Sequence, residues 1–402
     1  MGSFYLLEGK VQHYSWGGTH FLPALLKQAN PDGQPFAEYW LGAHPMFPSR
    51  LQSNAGKISL QRFIEQNKAD VLGGETSKQF QSLPFLFKIL DVKNMLSIQV
   101  HPNLQQAAVG FAEENEAGIS LQSPHRNYKD ENHKPELMVA LSDFWLLHGF
   151  KPQDLLAETL EKVTELQPLL PHFQKGGYQG LYEYVMLPSN DTADQILAAL
   201  KERIIPLYGS NALDKSNPDF WAARALQTFG EDGKLDKGIF SIYFFNLLHL
   251  KRGEGIFQDA GLPHAYLEGQ NVEIMANSDN VLRAGLTDKH IDVAELLKLV
   301  RFEPTFPKVL KAVEAFKATY DSPAAEFELS RYRLRSGQKE ELHFKEVALL
   351  FCLSGLIRVQ NSFRSLLLEA GQAVLVEAST QFVLAADVDA DVFVATVPPP
   401  KN

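Results

Sequence analysis

The chain has 402 residues, a length that fits two or three domains. At 45% hydrophobic and 11% aromatic residues it has the composition of a packed globular protein, not of a disordered one. Its formal net charge of −10 argues against a nucleic-acid or anionic-membrane partner, since both want a basic face. An anionic small substrate would need a local cluster of basic side chains against this background.

The single cysteine, Cys352, sits between Phe351 and Leu353, so a buried, inert thiol is expected. No disulfide can form within the chain, which fits a reducing, cytoplasmic setting. The amino-terminal residues show no basic stretch followed by a long apolar run, so no signal peptide is expected. Leu6 stands where a myristoylation signal wants Ser or Thr. No run of roughly 18 apolar residues is present to form a membrane span.

In chain order, 60–69 has the pattern of a short helix. Residues 84–92 form an apolar run with the character of a strand. After the polar break at Lys93-Asn94, 95–100 is expected to be the next strand. A helix is expected over 104–116. Two more strands follow at 137–141 and 144–150, joined by Ser142-Asp143, which points to an antiparallel system. The character changes near Lys151. Residues 153–166 and 192–204 carry apolar side chains at helical spacing, with Asp191 as the expected N-cap of the second. A third helix is expected over 220–229, ending at Gly230.

Strands are expected again at 239–245 and 246–250. A Gly-rich turn at 251–255, a strand at 256–258 and the segment Gly261-Leu262-Pro263-His264-Ala265-Tyr266 come next. This succession is the pattern of a small cupin-like jelly roll, in which the histidine after the tight turn points into the barrel mouth. Short strands at 347–353, 356–359, 366–368, 373–376 and 392–395 repeat the theme. No histidine follows His343, so this second barrel is expected to be structural, a duplicate that kept no ligands. The expected fold is therefore mainly β, with two cupin-like jelly-roll β-barrel domains and an inserted α-helical domain. The expected division is 1–150 with 236–310, then 151–235, then 311–402.

Successive strand side chains point to opposite faces. Gln99 and His101 therefore reach into one space while Ile98 and Val100 pack on the other side. Glu136 and His264 add a carboxylate and a second imidazole. Together these four make a plausible ligand set for one divalent metal with room for a substrate. Taken singly, each is more often just a hydrogen-bonded polar residue than a ligand. No compact signature such as His-Glu-x-x-His is present, and there are no paired cysteines.

Further stretches bear on the same question: Tyr14-Ser15-Trp16-Gly17-Gly18, Glu38-Tyr39-Trp40-Leu41-Gly42-Ala43-His44-Pro45, Lys134-Pro135-Glu136, and 277–289 with Asp279, Arg283, Gly285 and Lys289. With the segments around Gln99 and His264, they make the chain resemble the type I mannose-6-phosphate isomerases over nearly its whole length. The resemblance implies one Zn2+ per chain, held by Gln99, His101, Glu136 and His264. It implies that Arg283 is the essential arginine and Lys289 its neighbouring lysine. It further implies interconversion of D-mannose 6-phosphate and D-fructose 6-phosphate, a sugar phosphate as the only partner, and a monomer.

Such a reaction moves a proton between C1 and C2 through an enediol, and negative charge grows on the carbonyl oxygen. A Lewis acid can stabilise that charge, and a base must carry the proton. Lys134 and His133, which flank Glu136, are the first candidates, one for proton transfer and one for ring opening. Glu273 and Asp279 are alternatives, or substrate-binding groups. Asp279 could instead only hold Arg283. Arg283 and Lys289 could form the phosphate pocket, or Arg283 could stabilise the enediolate. Trp16, Ser97 and Tyr266 are expected to line the pocket. Two rival readings are a cupin-type iron dioxygenase and a sugar-phosphate-binding protein without catalysis. The first does not explain a glutamine ligand or the Arg283–Lys289 pair.

Overall fold

A computed structural model describes residues 3–53, 56–187, 191–229, 235–311 and 313–399. Among these, two ten-stranded sheets carry the fold. The path of the first runs Phe245–Leu250, Phe144–Phe150, His264–Ala276, Phe85–Val92, Glu38–Gly42 and Lys10–Gln12. Glu136–Ala140, Gly255–Gln258, Gln99–Val100 and Leu282–Arg283 branch from it. The second is built from strands between Lys317 and Thr396, joined by Phe4–Glu8, Arg50–Ser53 and Gly56–Ser59. Phe4 pairs with Val376 and Leu7 with Ala373. The amino-terminal strand therefore belongs to the carboxy-terminal sheet, and the division at 311 runs through a shared set of ladders. Such pairing spans the whole chain and leaves no local mark in the sequence.

Strand alternation sorts the first sheet's side chains into an inside and an outside. Phe85, Phe87 and Ile89 join Leu137, Val139, Val272 and Ile274 in a core shared with Phe327, Leu349, Phe351 and Phe393 of the second sheet. Lys88, Glu136 and Glu273 lie on the opposite, inner side. A third surface of the first sheet, including Ile98, Val100, Trp145 and Leu147, packs on the helices. Ile98 and Val100 thus pack as their spacing implied. The helices are Gln153–Lys162, Leu170–Met186, Asp191–Gly209 and Pro218–Thr228, with Leu156, Tyr182, Leu197 and Trp221 fully buried.

Two local expectations change. The run 239–245 is a helix, Ile239–Phe244, followed by the strand Phe245–Leu250. All six of its residues are buried, so its apolar run carries no periodicity to distinguish helix from strand. Within 95–100, only Gln99–Val100 forms a strand. Asp191 is helical in Asp191–Gly209, and the residues that would show how this helix is capped lie outside the described ones. The expected stop at Gly230 lies outside the described residues. Cys352 is free and buried, as its neighbours implied.

Candidate metal centre and substrate cavity

One long strand, His264–Ala276, organises the site. It pairs with Phe85–Val92 (Glu273 opposite Lys88), with Glu136–Ala140 (Met275 opposite Glu136), with Phe144–Phe150, and with Gln99 through His264. Its register on Phe144–Phe150 slips between Tyr266 and Glu268. One extra residue in a strand reverses which side chains face which way. Before the bulge Ala265 and Leu267 face the helical core; after it Val272 and Ile274 face the core between the sheets. The slip therefore puts Glu273 on the same inner face as His264 and Tyr266, and the Tyr266 hydroxyl donates to Glu273 Oε2 at 2.8 Å. Gly269 makes the bend possible. Its φ is +131°, and a Cβ there would lie 2.7 Å from the Asp143 carbonyl.

His101, Glu136 and His264 each offer a donor atom, all within 4.8 Å of one another, and all three residues are buried. His101 Nδ1 donates to the Asn280 carbonyl (2.8 Å) and His264 Nδ1 to the Leu262 carbonyl (2.9 Å). Each backbone bond sets the tautomer and leaves Nε2 as a free lone pair. Those Nε2 atoms lie 3.4 Å and 3.3 Å from the two oxygens of Glu136. His101 Nε2 is buried with no hydrogen-bond partner among the described residues, which a native core rarely tolerates unless a ligand completes it. Burial lowers the His101 imidazole to about 4, so it is neutral and ready to bind a cation at neutral pH. Burial pushes Glu136 up, but its close neighbours, the Lys134 ammonium among them, outweigh that and hold it well below the usual carboxylate range. A backbone bond from Gly261 N to the His101 carbonyl (2.8 Å) ties the two histidine-bearing turns together.

This donor set forms one end of a cleft. A narrow recess of about 70 Å³ is lined by Gln99, Glu136, His264, Tyr266, Glu273, Lys88 and Lys134 among others. It opens beside a cavity of about 620 Å³, within the range of small-molecule sites. The cavity wall includes Trp16, Ser97, Gln99, Lys134, Asp279, Arg283 and Lys289. Gln99 and Arg283 are direct cross-strand partners, so their side chains emerge together. Arg283 and Lys289 form no ion pair among the described residues, although Asp288 lies between them in sequence and lines the same wall.

The structure therefore brings together Gln99, His101, Glu136 and His264, and sets Lys134, Arg283, Lys289, Ser97, Trp16, Tyr266, Glu273 and Asp279 on the two cavity walls. It does not bring His133 there. The His133 ring is held by Glu326 Oε1 at 2.7 Å and lines neither cavity. Its place next to Lys134 misleads, because adjacent residues point apart. Asp279 does not hold Arg283 either; its carboxylate contacts His44 Nε2 at 3.1 Å.

Three participants escaped the sequence reading. Lys88 is buried 3.1 Å from Glu273 and 3.8 Å from Glu38. Burial alone would lower it, but Glu38 and Glu273 hold it above the usual lysine range, and burial pushes Glu273 up. Glu38 accepts from the Trp40 indole N–H. A lone lysine on the inward parity of an apolar strand was the available signal. Asn280 is the third. Its carbonyl orients His101 while its side-chain oxygen accepts from Lys129 N at 2.6 Å and its amide donates to the Asn132 carbonyl at 2.8 Å.

A jelly-roll interior with buried histidines and a carboxylate at its mouth defines a cupin-like metal-binding protein. The model of the phosphomannose isomerase type I catalytic domain matches residues 4–153. The mannose-6-phosphate isomerase of Escherichia coli (strain K12) is 37% identical over 384 residues, spanning 93% of this chain and 94% of that protein. The human mannose-6-phosphate isomerase is 33% identical over 356 residues, 81% of each chain. The crystal structure of mannose 6-phosphate isomerase from Salmonella typhimurium, bound to substrate and a zinc atom, matches with a TM-score of 0.88 at 33% identity, covering 99% of this chain and 100% of that one. The chain belongs to the mannose-6-phosphate isomerase family, type I.

Proposed function

We propose that this chain interconverts D-mannose 6-phosphate and D-fructose 6-phosphate, with one zinc ion held by Gln99, His101, Glu136 and His264. The observation that carries the reading is the convergence of two imidazoles and Glu136, with His101 Nε2 without a hydrogen-bond partner among the described residues, on a cavity that also holds Arg283 and Lys289. The donor set fits zinc: two neutral nitrogens, one carboxylate and one amide oxygen leave a net positive centre. When bound, the metal supplies a Lewis acid that stabilises negative charge on the sugar's carbonyl oxygen.

The chain's own residues do the rest. Lys134 is buried, lies 3.5 Å from Glu136 Oε1 and lines both cavities, which suits it to carry the proton between C1 and C2. Arg283 emerges beside Gln99 and is placed to stabilise the enediolate. Lys289, farther along the same loop, is placed to bind the phosphate. Gly285 seats that loop: its φ is +118°, and a Cβ would lie 2.3 Å from Gly238. Tyr266 and Lys88 hold Glu273 from two sides, so this carboxylate is spent on fixing the recess rather than on ligating metal. The catalytic part comprises 1–150 and 236–310, with 151–235 as the helical insertion and 311–402 as the second β domain.

The test is conversion of mannose 6-phosphate to fructose 6-phosphate by purified protein, measured before chelation, after chelation and after zinc is returned. Activity that is lost and then restored by zinc supports substrate and metal together. A folded, zinc-loaded chain with no turnover refutes the proposal in favour of a binding protein.

A further inference from the structure

We infer that Glu326, a carboxylate of the second β domain, is a positioning residue for the active site: through His133 it fixes the segment that presents Lys134 and Glu136. The inference rests on the isomerase reading above.

Lys134 makes one ion pair among the described residues, at 3.5 Å to Glu136, so the direction of its ammonium is set largely by the backbone that carries it. That backbone is held from two sides. On one side the first sheet grips it. The Ser278 hydroxyl and the Asn280 amide both donate to the Asn132 carbonyl, and Ala276 N donates to the Pro135 carbonyl at 3.1 Å. On the other side the side-chain tie among the described residues is His133 Nε2 to Glu326 Oε1 at 2.7 Å.

Glu326 sits on a buried mount. It directly precedes Phe327, which with Leu329 is buried in the same core as Leu137 and Val139, the residues alternating with the metal strand's inner face. Glu326 is itself 7% exposed, and its Oε2 is buried without a hydrogen-bond partner among the described residues. A buried ion pair adds little net stability, and an unpaired carboxylate oxygen subtracts from it. What the arrangement does supply is a defined place for His133, and with it the next residue. A shift of a fraction of an ångström in a proton-transfer group is costly to turnover.

The experiment is a double-mutant cycle on the zinc-loaded full chain, using Glu326→Ala, His133→Ala and the pair. Glu326→Ala is expected to lower kcat ~10-fold, with KM changed less than about 2-fold. Zinc stays at one per chain. The double variant is expected to be no slower than the slower single variant, because both remove the same tie. Glu326→Gln, which keeps an acceptor oxygen and the shape, falls between wild type and Glu326→Ala, and it serves alone if the alanine variant does not fold. A tie that matters only to stability lowers the melting temperature and leaves kcat per folded, zinc-loaded molecule unchanged. That result, or strictly additive losses in the cycle, overturns the inference while the isomerase reading stands. A zinc-loaded wild type without turnover overturns both.

Discussion

The two sheets have comparable strand numbers but opposite interiors. Inside the first lie Lys88, Glu136, Glu273, His101 and His264, and Gln99 and Lys134 open onto a cavity. The second carries a large apolar cluster that includes Leu350, Cys352, Ile357, Val359, Val374, Phe382 and Leu384. It also buries one ion pair among the described residues, Arg331 with Asp391. The second sheet's interior is mostly apolar, with no cluster of possible metal ligands among the described residues. The first shows what chemistry costs: charges that must be paired, a lone imidazole nitrogen without a partner, and a bulge that reverses a strand's phase. The shared core of Leu137, Phe327 and Phe351 lets the apolar barrel brace the polar one.

The sharpest way to break this contrast is to make one substitution in each interior. Glu136→Ala is expected to abolish zinc retention after dialysis and to cut turnover at least ~10³-fold, since it removes the only charged ligand. Leu350→Ala is expected to cost about 2–5 kcal/mol of stability through its cavity. It should leave turnover per folded molecule unchanged. Zinc content, initial rates and denaturation midpoints distinguish the two. A folded Leu350→Ala protein with impaired turnover would show that the second interior is not merely filling.

Within the polar half, Arg283 and Lys289 can be separated. Arg283→Ala is expected to lower kcat ~10²-fold while zinc stays bound, the loss typical of one preorganised group that meets developing charge. Arg283→Lys should not restore it, because an ammonium lacks the planar two-pronged donor. Lys289→Ala is expected to raise KM for the sugar phosphate ~10-fold with little change in kcat, as for a group that binds ground and transition states alike. Equal effects on KM from both variants would place both on the phosphate.

The site was more legible than the fold around it. Gln99 and His101 announce themselves because a two-residue spacing on a strand dictates a common face, and His264 because a Gly-Leu-Pro turn precedes it. Helical periodicity located the insertion. What stayed hidden depends on partners distant in sequence. The strand Phe4–Glu8 pairs across some 370 positions with Ala373–Val376, and no residue in either announces the other. The helix Ile239–Phe244 is buried on every side, so it lacks the pattern that marks a helix. The bulge at Tyr266–Glu268 decides which way Glu273 points, yet it exists only against Trp145 and Leu146. His133 was misplaced because nothing near it in the chain foretells Glu326.

The acid sensitivity of the molecule is expected to lie in its polar half. His148 is buried opposite His264 in the ladder, with Nδ1 at 3.1 Å from Gln258 Oε1. Burial, with the neighbouring His264 adding to it, lowers His148 to about 3, and burial lowers His101 to about 4. Both depart from an ordinary histidine value of 6.5. The second sheet's histidine, His343, is exposed. Below pH 6.5 the unfolded chain takes up protons at these two positions while the folded chain does not. Stability contributed by the neutral imidazoles is thus present above that value and is lost as pH falls towards about 4. At pH 5 the loss is roughly 2 kcal/mol for each histidine relative to neutral pH. Urea midpoints of the zinc-free protein at the two pH values measure it. His148→Gln should remove about half of the drop that these two histidines contribute, since only His101 of the pair then remains. A drop that survives His148→Gln in full would move the acid-sensitive group elsewhere and dissolve this part of the contrast between the two interiors.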